Sequence, residues 1–218
     1  MNPPFTTEQF LDVLVEYNLA VWPIQVGVYV LGAAAVLMVF WRIRPSDRII
    51  SGILAFLWIF MGGVYHLGYF TAINNAAWLF GIAFLVQAAL FIFSGIYRGS
   101  LSFGFKPGIY SFIGLLFILF AAVLYPIIGQ ALGHGWPSSP SFGITPCPGT
   151  IFTFGMLLLA TRRVPRYLLV IPLLWSLVGF SAAIFMGITE DVGLLVAGIG
   201  GTALLIWRDR RRKEDPEQ

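Results

Sequence analysis

Residues 134–150 read HGWPSSPSFGITPCPGT, and this stretch decides how the rest of the chain is interpreted. It holds four of the thirteen prolines and the chain's one cysteine, and long apolar segments lie on both sides of it. Only eleven residues, 151–161, separate it from Arg162, and eleven helical residues rise about 17 Å. Since a membrane core is about 30 Å thick, we expect residues 142–149 to be non-helical and to enter the outer half of the bilayer.

Irregular backbone inside a membrane persists only where protein or a wet cavity satisfies its polar groups. Pro146 and Pro148 also lack backbone N–H donors. We therefore expect an outward-facing vestibule, floored by the start of the helix that follows the prolines. A locally thinned bilayer around a short helix is the alternative.

The composition is that of a membrane protein. Of 218 residues, 58% are hydrophobic and 11% are charged, with a mean hydropathy of +0.85, whereas soluble domains carry about a quarter charged residues. The basic residues sit at helix ends, so the basic balance does not indicate nucleic acid as a partner. One cysteine excludes an internal disulfide, and the N-terminus has no basic region that would predict a cleaved signal peptide.

Seven apolar segments predict an all-α, polytopic membrane helix bundle with seven transmembrane helices. These segments are residues 19–41, 49–70, 76–97, 108–128, 142–161, 166–186 and 192–207. All 13 Lys and Arg follow odd-numbered segments. The positive-inside rule then places the N-terminus outside and a charged tail, 208–218, in the cytoplasm. We expect one membrane domain, 1–218, with the lipid bilayer as its surroundings.

Residues 6–17 predict an amphipathic helix on the outer surface of the membrane. Thr6 and Gln9 match a capping box. The polar face carries Glu8, Asp12 and Glu16. Phe10 and Leu14 lie on the opposite face and are expected to face protein or lipid.

A weak internal repeat is a further hypothesis. LWIFMG at 57–62 and LWSLVG at 174–179 share Leu, Trp and Gly at the same spacing. This favours a parallel 3+1+3 arrangement in which the fourth span joins two copies, as in some transporters. Chance similarity between apolar helices is the alternative.

Cys147 precedes Pro148, and proline favours the first turn of a helix. At or beside the N-cap, the helix dipole would favour a reactive thiolate or a ligand for a soft transition metal. A buried, inert thiol is the alternative. Metal candidates are Cys147, His66 and His134, although no cofactor is predicted.

Polar and aromatic side chains within or beside the spans are candidates for binding a solute. They are Gln25, Tyr65, His66, Tyr69, Gln87, Cys147 and Thr150. The amides also have an alternative role in joining helices. Glu190 and Asp191 are expected to form a solvated rim. No charged residue is expected inside a span, which disfavours a proton pump or a retinal protein.

FTTEQFLDVL at 5–14 and FGITPCPGTIFTFG at 142–155 resemble an uncharacterised family of bacterial inner-membrane proteins, described as a domain of unknown function. The resemblance extends along the whole chain. It implies a multi-span membrane protein of the bacterial inner membrane and transfers no catalytic residue.

Three functions remain open from the sequence. The first is a facilitator or binding protein for a small uncharged or weakly charged solute. The second is a metal- or thiol-dependent membrane protein that uses Cys147 with His66 and His134. The third is a structural or sensory accessory subunit. The sequence leaves open whether the protein is an enzyme and favours a protein that is not one.

Overall fold

A computed structural model describes the backbone of residues 4–214, and the side chains in that range except those of 182, 183 and 212–214. Helices carry the fold, and no strand occurs in the described range beyond one isolated bridge between Phe103 and Ala160. The helices are α1 (Thr7–Ala20), α2 (Trp22–Phe40), α3 (Ser46–Ala72), α4 (Ala77–Tyr97), α5 (Ile109–Ala131), α6 (Pro146–Leu158), α7 (Tyr167–Met186) and α8 (Val192–Glu214).

Six of these helices are long and apolar enough to cross a membrane, namely α2, α3, α4, α5, α7 and α8 with its preceding turn. The expected all-helical, multi-pass bundle is therefore confirmed at this level. The fifth predicted span folds as α6, a shorter apolar helix of 13 residues that rises only about 20 Å.

The predicted start of the fifth helix was wrong. The expectation of a non-helical 142–149 holds only for 142–145, because α6 already begins at Pro146. Pro146 and Pro148 both occupy its first turn, where the missing N–H groups would have had no helical partner and the fixed φ suits the helix. The prolines thus start the helix instead of delaying it.

One end of the bundle collects the segments 41–45, 98–108 and 159–166 together with the start of α3 and the end of α8. Hydrogen bonds join these segments: Phe103 to Asp47, Gly104 to Leu159, and Val164 to Asp209. Every Lys and Arg whose side chain is described lies here. We call it the basic end.

The opposite, far end collects α1, the turn after α3, the segment 132–145 and the turn before α8. Contacts there join Tyr17 to Ile144, Asn18 to Ser139, His134 to Glu190, and Tyr125 to Asp191. α6 begins among these far-end segments and ends at the basic end, buried almost throughout.

The predicted N-terminal segment is helical, while its position at a membrane surface stays a prediction. α1 extends to Ala20, three residues beyond the expected end, and both hydrogen bonds of the Thr6–Gln9 capping box are present. The acidic residues of the polar face are exposed. Phe10 and Leu14 are buried against the bundle, so α1 packs on protein.

The charged tail predicted at 208–218 does not begin at residue 208. α8 continues to Glu214, and Arg208 is only 3% exposed. Its guanidinium donates hydrogen bonds to the last carbonyl groups of α6, and these bonds stabilise a charged residue in a buried position. Residues 215–218 lie outside the described range.

Candidate functional site

A cavity of about 410 Å³ lies at the far end of the bundle. Phe10 and Leu14 of α1 cover it, and Thr145, Pro146 and Cys147 form its floor. Seven aromatic residues contribute to its wall, which is predominantly apolar: Phe5, Phe10, Tyr65, Phe70, Phe80, Trp175 and Phe185. We call it the aromatic cavity, and its position at the start of α6 is that of the expected vestibule.

A polar edge interrupts the aromatic wall where α6, α7 and α8 meet. Cys147, Asp191 and Trp175 line the cavity at this edge. A Cβ at Gly179 would stand 3.5 Å from both the Cys147 sulfur and Trp175 Nε1, so both groups border this position. The Nε1 of Trp175 finds no nitrogen or oxygen acceptor in the described residues.

This environment argues against the expected thiolate at Cys147. The residue lies in the first turn of α6 after the N-cap Thr145, so the helix dipole is present as expected. The Asp191 carboxyl borders the same edge of the cavity and, when ionised, would repel a negative sulfur. The geometry therefore favours a neutral SH.

Glu190 and Asp191 are buried, so the prediction of a solvated rim was wrong. They are 2% and 1% exposed. Asp191 Oδ1 accepts a hydrogen bond of 2.5 Å from the Tyr125 hydroxyl, and Glu190 Oε1 lies 2.8 Å from His134 Nε2. These partners come from α5 and the segment after it, which fold over the start of α8 and exclude water.

His66 lies behind the cavity wall instead of in the cavity. The π-helical stretch of α3, Met61–Tyr69, turns both Tyr65 and His66 toward the interior. The imidazole is fully buried, and its centroid lies 5.0 Å from that of Trp175 and 4.7 Å from that of Phe84. Neither ring nitrogen has a hydrogen-bond partner within the described part of the chain.

The other candidate residues lie elsewhere, except Tyr65, which lines the cavity. Gln25 donates to Asn18 and accepts from Trp136, and Gln87 donates to the Leu168 carbonyl and so joins α4 to α7. Tyr69 packs against Tyr17, and Thr150 is fully buried within α6.

The three metal candidates do not form a common cluster. His134 pairs with Glu190, His66 is enclosed by aromatic rings, and Cys147 lines the aromatic cavity. Over the described residues, no group of three or more His, Cys, Asp and Glu side chains is arranged to hold a metal ion.

α1 is tied to the cavity floor by Tyr17. Its hydroxyl donates to the Ile144 carbonyl at 2.7 Å, just before α6 begins. Burial raises the pKa of Tyr17, with further contributions from Tyr65 and Tyr69, so the hydroxyl remains a neutral donor. This hydrogen bond therefore links the helix that covers the cavity to the segment that leads into its floor.

A family described as a family of unknown function, DUF6064, matches residues 7–215. The chain belongs to this family. The match confirms the resemblance that the segments at 5–14 and 142–155 indicate. No curated protein and no solved structure matches the chain.

Sequence reasoning missed two residues of the DUF6064 cavity edge, Asp191 and Trp175. Asp191 sits just before an apolar helix, which is also where a solvated carboxyl is ordinary, so the sequence offered no means of separating the two. Trp175 was visible in the repeated LW pairs, but a tryptophan in an apolar helix indicates packing as readily as binding.

Proposed function

We propose that this DUF6064 protein is a multi-pass protein of the bacterial inner membrane that binds a small, uncharged or weakly charged solute in the aromatic cavity. The observation that carries the proposal is the polar edge of Cys147, Asp191 and Trp175 at one side of a predominantly apolar wall that is rich in aromatic rings. A cavity of about 410 Å³ also lies within the range usual for ligand pockets.

The lining indicates the chemistry of the solute. Aromatic walls favour a flat, apolar body. The indole N–H of Trp175, which has no acceptor among the described residues, would donate to a carbonyl or hydroxyl oxygen of the solute. The Asp191 carboxyl lies where a donor on the solute could also be accepted.

Facilitated passage of the solute is the second form of this function. A second cavity lies at the basic end beside the last residues of α6, so one cavity stands at each end of this helix. The helix between them is tightly packed, and passage would require it to shift. Binding needs no such movement and is the primary proposal.

The proposed orientation follows the charges. The described Lys and Arg side chains gather at the basic end, which the positive-inside rule assigns to the cytoplasm. In this orientation, α6 crosses the membrane along with the six longer helices, which gives seven membrane-crossing helices. The aromatic cavity then opens outward.

Acetophenone, an uncharged aromatic ketone, is a suitable probe. Its binding to the purified chain in lipid nanodiscs is measured by equilibrium dialysis, with empty nanodiscs subtracted. Trp175→Phe keeps an aromatic wall but removes the donor, so we expect binding weakened by up to roughly tenfold. Trp78→Phe is the control, because Trp78 is exposed and lies outside the cavity lining.

Unchanged binding in the Trp175→Phe variant would contradict the proposed polar edge. Absence of saturable binding to the wild type, for acetophenone and for phenol alike, would contradict the solute site itself. For facilitated passage, exchange of radiolabelled solute across proteoliposome membranes should exceed that of protein-free liposomes.

A further inference from the structure

A second cavity, of about 420 Å³, lies at the basic end. The start of α5, the last turn of α6 and the end of α8 enclose it. Lys106, Arg208 and Arg211 line it, and no acidic side chain does so among the described residues. We call it the basic cavity.

Arg208 is held in place at the wall of this cavity. It is 3% exposed, its Nη1 donates to the Leu158 carbonyl at 3.0 Å, and its Nε donates to Asp209 at 2.9 Å. Its Nη2 is buried and meets no acceptor in the described part of the chain. A charged donor left without an acceptor costs stability, so an acceptor brought by a ligand would be bound favourably.

The two other cations stand at more accessible positions. Lys106 and Arg211 are exposed, and the guanidinium carbon of Arg211 lies 4.5 Å from the centroid of the Trp207 ring. This stacking restricts the Arg211 side chain, which lowers the entropy lost when it binds an anion. Asp209 offsets one of the three positive charges through its bond to Arg208.

We propose that the basic cavity binds a phosphate group, carried either by an anionic lipid headgroup or by a small soluble phosphate ester. Two guanidinium groups and an ammonium group match the multiple acceptor oxygens of phosphate. Basic pockets between helices at the cytoplasmic side of membrane proteins are a recurring way to hold lipid headgroups. This site is independent of the solute site, because it lies at the opposite end of α6.

The test uses the purified full-length chain in detergent and isothermal titration calorimetry. The probes are dioctanoyl phosphatidylglycerol, dioctanoyl phosphatidylcholine and sn-glycerol 3-phosphate. The double variant Lys106→Gln/Arg211→Gln removes two exposed charges, so the fold should be retained. We expect its affinity for phosphatidylglycerol to fall by roughly tenfold or more.

The control is the double variant Arg44→Gln/Arg48→Gln. It removes the same charge from the same end, at exposed residues that line a different cavity together with Asp47. Its affinity should stay within about twofold of the wild type, because screening limits the reach of distant exposed charges.

The soluble probe separates the two sources of phosphate. Binding of phosphatidylglycerol without measurable binding of glycerol phosphate supports a headgroup site, and competition between the two supports a site for the phosphate group alone. Equal losses in both double variants, or equal affinity for phosphatidylcholine and phosphatidylglycerol, would overturn the proposal, since diffuse attraction would then explain the binding.

Discussion

Thr150 and Thr153 lie one turn apart on α6, and both are fully buried. The Thr153 hydroxyl accepts a hydrogen bond of 3.0 Å from Trp58 Nε1 and donates to the Gly149 carbonyl at 2.8 Å. The Thr150 hydroxyl has no partner within the described residues. These two buried threonines thus differ in whether the hydroxyl is hydrogen-bonded. Comparing their substitutions therefore reports on the contribution of that hydrogen bonding to stability.

Replacing each threonine by valine should affect stability unequally. Thr153→Val leaves the buried Trp58 N–H without an acceptor, so we expect a loss of about 1–3 kcal/mol in the free energy of unfolding. Thr150→Val removes a hydroxyl that is already unpaired and should be neutral or slightly stabilising. Unfolding in detergent, followed by circular dichroism, gives both values, and equal losses would contradict this account.

The same pair bears on the candidate site. Thr150 was predicted to bind solute, yet it does not line the aromatic cavity. Residue type and position in a span place a hydroxyl at a depth in the membrane, but they do not say which side of a wholly buried helix faces a cavity. Tyr65 and Cys147 were predicted to bind solute, and both line the cavity. They lie toward the far ends of α3 and α6, close to the non-helical residues 142–145.

At the scale of elements, α8 and the turn before it place a charged residue near each end of α6. Asp191 lines the aromatic cavity together with Cys147 of the first turn of α6, and Arg208 donates to the carbonyl groups of Leu157 and Leu158 at the end of α6. An acid at the start and a cation at the end are what the helix dipole favours. Because α6 is short, its polar ends lie inside the bundle and need such partners.

The close approach of α5 and α6 gives a prediction for an element contact. A Cβ at Gly155 would stand 2.7 Å from Ile118 Cγ1 and 2.8 Å from the Gly114 carbonyl oxygen, which is backbone and cannot move aside. Gly155→Ala should therefore lower the free energy of unfolding by about 1–3 kcal/mol.

Gly200→Ala on α8 is the matched control for that contact. Among the described residues, no atom lies within 4 Å of a Cβ there apart from the backbone of its own helix, and alanine favours a helix more than glycine does. Thermal unfolding in detergent should rank Gly155→Ala well below Gly200→Ala. The reverse order would mean that α5 and α6 are not in this contact.

At the scale of the whole molecule, hydropathy predicted the helices well, while their ends followed contacts that hydropathy does not report. α3 begins at Ser46 and α8 runs past Trp207, because hydrogen bonds continue a helix into polar sequence. The burial of Asp191 and Arg208 follows from the length mismatch between α6 and α8. That mismatch appears only when the two helices are placed side by side.

The orientation of the bundle gives the last prediction. In a Cys147→Ala background, Asn75→Cys reports on the far end and Pro107→Cys on the basic end, and both native residues are exposed. An impermeant maleimide should label Asn75→Cys in intact spheroplasts. It should label Pro107→Cys only after permeabilisation, which also controls for equal reactivity of the two thiols.

The gathering of the cations at one end of the bundle depends on α6. If α6 did not connect the far end to the basic end, α7 and α8 would be inverted, and Arg162, Arg163 and Arg166 would lie apart from the other cations. The hydrogen bond between Arg162 and the Gly99 carbonyl, at 3.3 Å, places these segments together instead. The charges therefore act as one group under the positive-inside rule, and labelling of Pro107→Cys in intact spheroplasts would reverse the whole bundle.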